Sequence, residues 1–376
     1  MLSLYIHTPF CVRKCPYCGF YSTCYSEQSA DDYVAALRKE AAGYCSDFSC
    51  QLFNTVYIGG GTPTVLSNEQ SAEIMCLIKD YFNVTEDAEF TIEANPNSVG
   101  KQSLSQWRRL GANRISLGMQ SFSDRILQNL GRLHTVDQAV DAFRLARRAG
   151  FTNIGIDLIY GVPDQTKAQW GESLATATRL APEHISLYSL SLDEGSVFKR
   201  EADSGKYTLP DDELVIGMYE YAVSKLFEAG YARYEISNFA LPGFECRHNM
   251  NYWERGEYLG LGPSASSFVG GRRFDNISDH EEYARRLAKG QSAVVDCEYI
   301  TPEQAARERL LLGLRTSRGV DLRRFHDEQG DNSFRRLQAS MTPLSDAGLI
   351  RIIDGQVRLT DRGALLCNEA LARLSV

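Results

Sequence analysis

Short runs of apolar and β-branched residues recur through the first half of the chain and predict six β-strands. Several runs are almost continuously apolar, which is typical of parallel strands that are covered on both faces. The predicted strands are 2–7, 55–60, 89–94, 113–118, 153–161 and 184–190.

Between these runs the apolar residues recur at spacings of three and four, which predicts amphipathic helices. The predicted helices are 30–44, 68–82, 136–150 and 167–180. Strands that alternate with helices favour an α/β fold with a partial (β/α)6 arrangement, either an open barrel or a doubly wound sheet. The notable polar and glycine residues follow the ends of predicted strands, where barrels collect their functional groups, so we favour the barrel.

The pattern changes near residue 206. A helix is predicted over 211–230, and the following stretch is rich in aromatic residues, Gly and Pro without a clean period. From about 300, helical runs, two short β-like pieces around Asp354 and Gly355, and a last helix predict a mainly helical, winged-helix-like module. We therefore predict three regions: a barrel over 1–205, a connecting region over 206–298 and a C-terminal domain over 299–376.

Composition and charge argue against several classes of binding partner. The 376 residues carry a formal net charge of −8, which argues against a general nucleic-acid-binding role, including one for the winged-helix-like module. No apolar run approaches the roughly 20 residues that span a membrane, so we expect at most peripheral membrane contact. The N-terminal sequence has no secretory signal pattern, and we expect a cytoplasmic protein.

Four of the ten cysteines lie in the stretch "CVRKCPYCGFYSTC" at 11–24. In a reducing compartment, clustered cysteines indicate metal or redox chemistry more often than disulfides. Cys11, Cys15 and Cys18 suit an iron–sulfur cluster held by thiolates with one iron left open. A zinc site remains an alternative, and it would need a fourth ligand such as His7 or Cys24.

The surroundings of this motif resemble the radical S-adenosylmethionine (SAM) superfamily, whose C-x3-C-x2-C signature has an aromatic residue before the last cysteine. Tyr17 occupies that position. The resemblance sharpens to the oxygen-independent coproporphyrinogen III oxidase family and covers essentially the whole chain. It is carried in order by the blocks "LYIHTPFC", "YIGGGTPT", "IEANP", "SLGMQSF", "LGRLH" and "IDLIYGVP".

The resemblance implies a 4Fe-4S cluster on the three cysteines, with SAM on its open iron. Carboxylates can accept hydrogen bonds from the ribose or amine of SAM, and an arginine can pair with its carboxylate. Glycines permit close approach of backbone to the methionine end. The positions that match SAM-binding residues of the family are Tyr5, Gly60, Gly61, Thr62, Glu93, Gln120, Arg132 and Asp157, with Tyr17 and Ser191 as weaker matches.

A second candidate site is the stretch "ECRHNMNYW" at 245–253. Imidazole is a common heme-iron ligand, and flanking aromatic residues can stack on a porphyrin. From the residues alone, His248 reads more simply as a histidine satisfied by its own neighbours. The stretch resembles the H-N-x-x-Y-W motif of HemW-type heme chaperones, a branch of the same family, and that resemblance implies a heme-binding role for His248.

Two branches of the family have to be separated. The oxidase branch has a further cysteine two residues after the cluster motif, where this chain has Phe20, and an N-terminal extension that this chain lacks. Both differences favour the heme chaperone branch, which delivers heme to acceptors such as respiratory cytochromes. We assign no catalytic residue. The alternative is an oxidase that removes carboxyl groups from two propionates of coproporphyrinogen III.

One difference concerns the chaperone branch itself. In "LGLGPSASSF", Ser264 and Ser266 stand where that branch has Gly and His. Any contribution of that histidine is therefore missing from this chain, and the affinity for heme is expected to differ from that of its relatives.

Overall fold

The computed structural model describes residues 1–192 and 196–374. Residues 193–195 and 375–376, which belong to the first and third predicted regions, lie outside the described residues. The strands are β1 (Leu2–Thr8), β2 (Phe10–Cys11), β3 (Thr23–Cys24), β4 (Leu52–Gly60), β5 (Asn83–Ala94), β6 (Arg114–Gln120), β7 (Asn153–Tyr160), β8 (His184–Ser189), β9 (Ala232–Arg233), β10 (Asn238–Ala240), β11 (Glu257–Leu261), β12 (Ser266–Val269), β13 (Arg272–Asn276), β14 (Val294–Tyr299), β15 (Val320–Asp321), β16 (Ile350–Ile353) and β17 (Gln356–Leu359).

Helices cover most of the sequence between the main strands. Several begin at a Ser or Thr whose hydroxyl accepts from the backbone N–H three residues on, as Ser67 and Thr166 do. The helices are α1 (Glu27–Phe48), α2 (Asn68–Tyr81), α3 (Lys101–Leu110), α4 (Asp124–Asn129), α5 (Val136–Arg148), α6 (Lys167–Leu180), α7 (Val197–Asp203), α8 (Asp212–Glu228), α9 (Arg247–Trp253), α10 (His280–Ala288), α11 (Pro302–Leu314), α12 (Leu322–Asp346), α13 (Asp361–Leu365) and α14 (Cys367–Ala372).

One large sheet organises the molecule, with the strand order β14-β13-β12-β11-β1-β4-β5-β6-β7-β8-β10-β9. The run from β1 through β4, β5, β6 and β7 to β8 is parallel throughout, and helices connect its successive main strands. Within the described residues β14 and β9 end the order, so the sheet is an open, partial barrel. The predicted α/β fold with six parallel strands is confirmed.

The stretch without a clean period also joins this sheet. β11 pairs with β1 in parallel, and β12, β13 and β14 follow in antiparallel order. Its Gly-rich sequence has little strand propensity of its own. Tertiary pairing with β1 determines its conformation. Helix α3 was also absent from the predictions. Only Leu104 and Trp107 of its ten residues are buried, so its apolar pattern is short.

The C-terminal segment builds a second hydrophobic core, which includes Leu310, Leu337 and Val357. Its three-stranded sheet has the order β15-β17-β16, and helices pack around it. The hairpin between β16 and β17 turns at Asp354 and Gly355, both with positive φ, as a two-residue turn of this kind requires. The division into three predicted regions stays a prediction. Among the described helices, none is long and apolar enough to cross a bilayer.

Candidate cluster and cofactor site

The predicted SAM-binding residues lie along one edge of the parallel sheet. Carboxyl ends of parallel strands meet at the same edge, so residues far apart in sequence become neighbours there. Tyr5 lies in β1, Gly60 ends β4, Glu93 lies in β5, Gln120 ends β6, Asp157 lies in β7, and Ser191 follows β8. Gln120 has φ 65, a left-handed conformation that is uncommon outside glycine and often found at functional sites.

Two glycines after β4 are required by contacts within the protein. Gly60 has φ 101, and a Cβ there would lie 2.5 Å from the ring of His7. A Cβ at Gly61 would lie 2.5 Å from the carbonyl oxygen of Phe10, and the Gly61 N–H donates to the Thr8 carbonyl at 2.7 Å. A side chain at either glycine would therefore collide with β1 or β2, and close approach to SAM stays a prediction.

The three motif cysteines share the loop that begins at β2. Cys11, Cys15 and Cys18 are partly exposed, and the Cys18 N–H donates to the Cys15 carbonyl at 3.1 Å. Burial raises the pKa of the Cys18 thiol, and the neighbouring Cys15 and Cys11 raise it further. The three sulfurs therefore lie within electrostatic reach of one another, and this donor set fits an iron–sulfur cluster.

The fourth cysteine of the stretch, Cys24, lies on the strand beside Cys11. It is exposed on β3, which pairs with β2 so that Cys24 is opposite Cys11 in register. Among the described residues, no group of three or more His, Cys, Asp or Glu side chains is arranged to hold a single metal ion. A three-cysteine cluster site without Cys24 stays our prediction.

A chain of hydrogen bonds ties the cysteines to the strand ends. The Thr62 hydroxyl lies 3.4 Å from the Cys11 sulfur, and the Asn95 amide donates to that hydroxyl at 2.7 Å. Arg132 donates to the Asn95 side-chain oxygen and, at 3.5 Å, to the Cys15 sulfur. Asn95 was not among the predicted site residues, although the "IEANP" block that contains it pointed to this place.

Tyr17 anchors the cysteine loop. Its ring packs against a small apolar cluster formed by Ile126, Leu130, Ile159 and Val162. Arg132 donates to its hydroxyl at 3.4 Å. The aromatic residue before the last cysteine therefore fixes the loop to α4 and β7.

Both predicted carboxylates are partly buried beneath this edge. Glu93 accepts from the Tyr57 hydroxyl at 2.6 Å and from the Gly60 N–H at 3.1 Å. Burial, with a contribution of the same sign from the nearby Asp157, raises the pKa of Glu93 to about 7. Asp157 accepts from the Ser116 hydroxyl at 3.2 Å, and burial raises its pKa as well. Both groups are therefore poised to ionise fully when a donor or a positive charge arrives.

His248 lies in α9, and its ring is enclosed beside Tyr57 of β4 and Tyr5 of β1. It is 1% exposed, and burial lowers its pKa to about 3, so the imidazole is neutral. Nδ1 lies 2.8 Å from the Thr55 hydroxyl, which itself donates to the Ser3 hydroxyl, so Nδ1–H donates to Thr55. Nε2 therefore accepts the Tyr252 hydroxyl, at 2.9 Å. Both ring nitrogens are in use.

Comparisons with known proteins identify relatives of this chain. The radical SAM superfamily model matches residues 5–177, and the model of the HemN C-terminal domain matches residues 300–366. The heme chaperone HemW of Bacillus subtilis is 36% identical over 98% of this chain and 98% of its own length. The HemW of Lactococcus lactis is 34% identical over 99% of this chain and 96% of its own length.

The chain belongs to the HemW heme chaperone family. The family is part of the radical SAM superfamily, so the predicted resemblance is confirmed. The Escherichia coli coproporphyrinogen III oxidase HemN, a radical SAM enzyme, has a similar structure. It shares 25% identity and a TM-score of 0.89, and the match covers 100% of this chain and 90% of HemN. Membership of the HemW family implies the 4Fe-4S cluster and SAM of the superfamily.

Proposed function

We propose that this protein is a heme chaperone that carries a radical-SAM-type 4Fe-4S site. The observation that carries the proposal is the end-to-end similarity to HemW proteins, which includes the C-terminal segment as well as the barrel. The residue at position 20 supports the same branch, because Phe20 stands where the oxidase branch has a further cysteine. Phe20 is 68% exposed beside the cysteine loop, where it contributes apolar surface and no thiol ligand.

The residues of the cysteine loop and of the strand ends have distinct roles in this proposal. Cys11, Cys15 and Cys18 hold the cluster, and Arg132 fixes Cys15 and Tyr17 from the side. When bound there, the cluster would hold SAM on its open iron and would be able to donate an electron to it. The side chains and backbone proposed to bind SAM are Tyr5, Gly60, Gly61, Thr62, Glu93, Gln120, Arg132, Asp157 and, with less support, Tyr17 and Ser191.

The predicted role of His248 as the heme-iron ligand is untested, and it competes with a positioning role because Nε2 already holds the Tyr252 hydroxyl. Coordination through Nε2 requires that the Tyr252 hydroxyl first leave that nitrogen. The predicted acceptors, respiratory cytochromes among them, and the predicted cytoplasmic location are part of the same proposal.

Anaerobic reconstitution of the full chain with iron and sulfide tests the proposal. Heme is then added, and the loaded protein is mixed with an apo-cytochrome. We expect stable heme binding and transfer of heme to the apoprotein. A chain that binds no heme, or that binds heme and never transfers it, contradicts a chaperone function.

The second candidate is the oxidase, which the close structural similarity to HemN favours. The same reconstituted protein is incubated with coproporphyrinogen III, SAM and a reductant. We expect no decarboxylated product. Formation of protoporphyrinogen would assign the chain to the oxidase reaction in spite of its similarity to HemW.

A further inference from the structure

A cavity of about 550 Å³ opens between the cysteine loop and the strands that follow α9. We refer to this cavity as the mouth cavity. It is lined by Tyr5 and His7 of β1, by residues 19–21, by side chains at the end of α9 and on β11, β12 and β13, and by Leu312. Its volume falls within the range of roughly 300–1,000 Å³ that is typical of small-molecule sites. Tyr5 is the only predicted SAM-binding residue among the described residues that line it. His7, which also lines the cavity, lies against Gly60, so the mouth cavity adjoins the strand ends that are proposed to bind SAM.

The walls of the mouth cavity are aromatic. Aromatic faces favour a flat, unsaturated ligand that stacks or packs edge-on against them. The lining rings are Tyr5, Phe20, Tyr21, Tyr252, Tyr258 and Phe268.

Two arginines, Arg255 and Arg273, complete the lining and favour an anionic ligand. The guanidinium of Arg255 lies 4.5 Å from the Phe268 ring centroid, and that of Arg273 lies 5.7 Å from it. Guanidinium groups bind carboxylates through paired hydrogen bonds. The combination of a flat aromatic wall with two guanidinium groups suits a planar ring that carries two carboxylates.

A single carboxylate bridges these arginines in the structure. Glu308 of α11 accepts from Arg255 Nε at 2.7 Å and from Arg273 Nη2 at 2.8 Å. The two hydrogen bonds outweigh partial burial, and they lower the pKa of Glu308. Arg273 also pairs with Glu298, whose side chain is half exposed. Glu308 therefore holds the place that an incoming carboxylate would need.

We propose that the mouth cavity binds the tetrapyrrole through its ring and its two propionates. The ring packs between the aromatic walls, and the propionates pair with Arg255 and Arg273 in exchange for Glu308. This inference rests on the proposed heme chaperone function and assigns its binding site. Because ring and carboxylates provide the contacts, iron is not required for binding.

His248 has a positioning role in this arrangement. Tyr252 lines the mouth cavity, and its hydroxyl is held by Nε2 of the buried imidazole behind it. Loss of the imidazole frees the Tyr252 ring, which weakens tetrapyrrole binding without removing an iron ligand. This gives the H-N-x-x-Y-W motif a physical rationale, since its His and Tyr are hydrogen-bonded at i and i+4.

Equilibrium titration of the reconstituted full chain with three ligands tests the site. The ligands are heme, metal-free protoporphyrin IX and heme dimethyl ester. We expect heme and protoporphyrin IX to bind with similar affinity. The ester has neutral side arms and should bind at least about tenfold more weakly, because hydrogen bonds between charged groups are lost.

Three variants complete the test. Arg273→Met should weaken heme binding about tenfold and leave ester binding nearly unchanged. Glu308→Gln should tighten heme binding several-fold, because the competing carboxylate is gone. Arg272→Met is the matched control, since Arg272 lies next to Arg273 on β13 but does not line the mouth cavity. It should bind heme as the wild type does.

The outcomes separate the inference from the proposed function. Equal binding of heme and its dimethyl ester, or equal effects of Arg272→Met and Arg273→Met, overturns the mouth-cavity site while heme chaperone function stands. A wild-type chain that binds none of the three ligands contradicts the proposed function itself. Retained cluster absorbance and an unchanged unfolding midpoint in each variant establish that the fold is intact.

Discussion

The cysteine loop and the α9 motif were both predicted as sites from sequence, but their predicted residues differ in exposure and in hydrogen bonding. The predicted residues of the loop are partly exposed and converge on one edge of the sheet. The predicted residue of α9, His248, is enclosed and bonded at both nitrogens. A site motif can therefore contain residues that contact a ligand and residues that hold the contacting ones in place.

The largest expected effect concerns the cysteine loop. Cys11→Ser, Cys15→Ser and Cys18→Ser should each abolish the cluster, because a serine hydroxyl is a poor replacement for a thiolate on iron. Iron and sulfide content and visible absorbance after anaerobic reconstitution provide the measurement. Cys24→Ser is the control and should bind a full cluster. Loss of the cluster in Cys24→Ser would mean that the loop uses four cysteine ligands.

The next effect concerns how the loop is packed. Gly61→Ala places a methyl group 2.5 Å from the Phe10 carbonyl oxygen, and we expect it to lower the free energy of unfolding by about 1–3 kcal/mol. Gly43→Ala is the control, because a Cβ at Gly43 meets nothing within 4 Å and lies inside α1. It should raise stability by about 0.5–1 kcal/mol. Similar denaturation midpoints for both variants would contradict the tight packing of β4 against the loop.

A smaller effect is the pH dependence of SAM binding at the strand ends. The pKa of Glu93 is raised to about 7 by burial, and the ionised carboxylate is the form that binds cationic SAM. SAM affinity should therefore fall up to about tenfold for each pH unit below 7 and level off above it. Asp157, whose pKa is also raised, contributes with the same sign.

Isothermal titration with SAM between pH 6 and 8 measures this dependence. Glu93→Gln should bind SAM more weakly and with a flatter pH profile. A wild-type affinity that is constant across this range would remove Glu93 from the SAM site.

Sequence patterns predicted the parallel strands closely because buried strands carry their own signal. β1, β4 and β7 contain long runs of apolar residues, and their predicted ranges overlap the observed ones. The same sequence did not predict that β11 would extend the sheet beside β1, because its pairing depends on a strand about 250 residues away. Asn95 was missed for a related reason, since its role depends on contacts with Thr62 and Arg132 from other strand ends.

The sequence of the heme motif does not show which of its side chains are buried or what surrounds them. Nothing in "RHNMNYW" shows that the His248 ring lies against Thr55 of β4, or that Arg255, just beyond it, meets Glu308 from α11. Those contacts join segments that are distant along the chain. Only the fold reveals that the aromatic and cationic side chains surround one cavity.

The absorption bands of bound heme in His248→Ala test this account most directly. At saturating heme, the account predicts Soret and visible bands unchanged from the wild type, because His248 positions Tyr252 and does not ligate iron. The dissociation constant for heme should be larger than that of the wild type. Tyr252→Phe should give the same unchanged bands. Bands that shift in His248→Ala and return on addition of imidazole would contradict the account and make His248 the iron ligand.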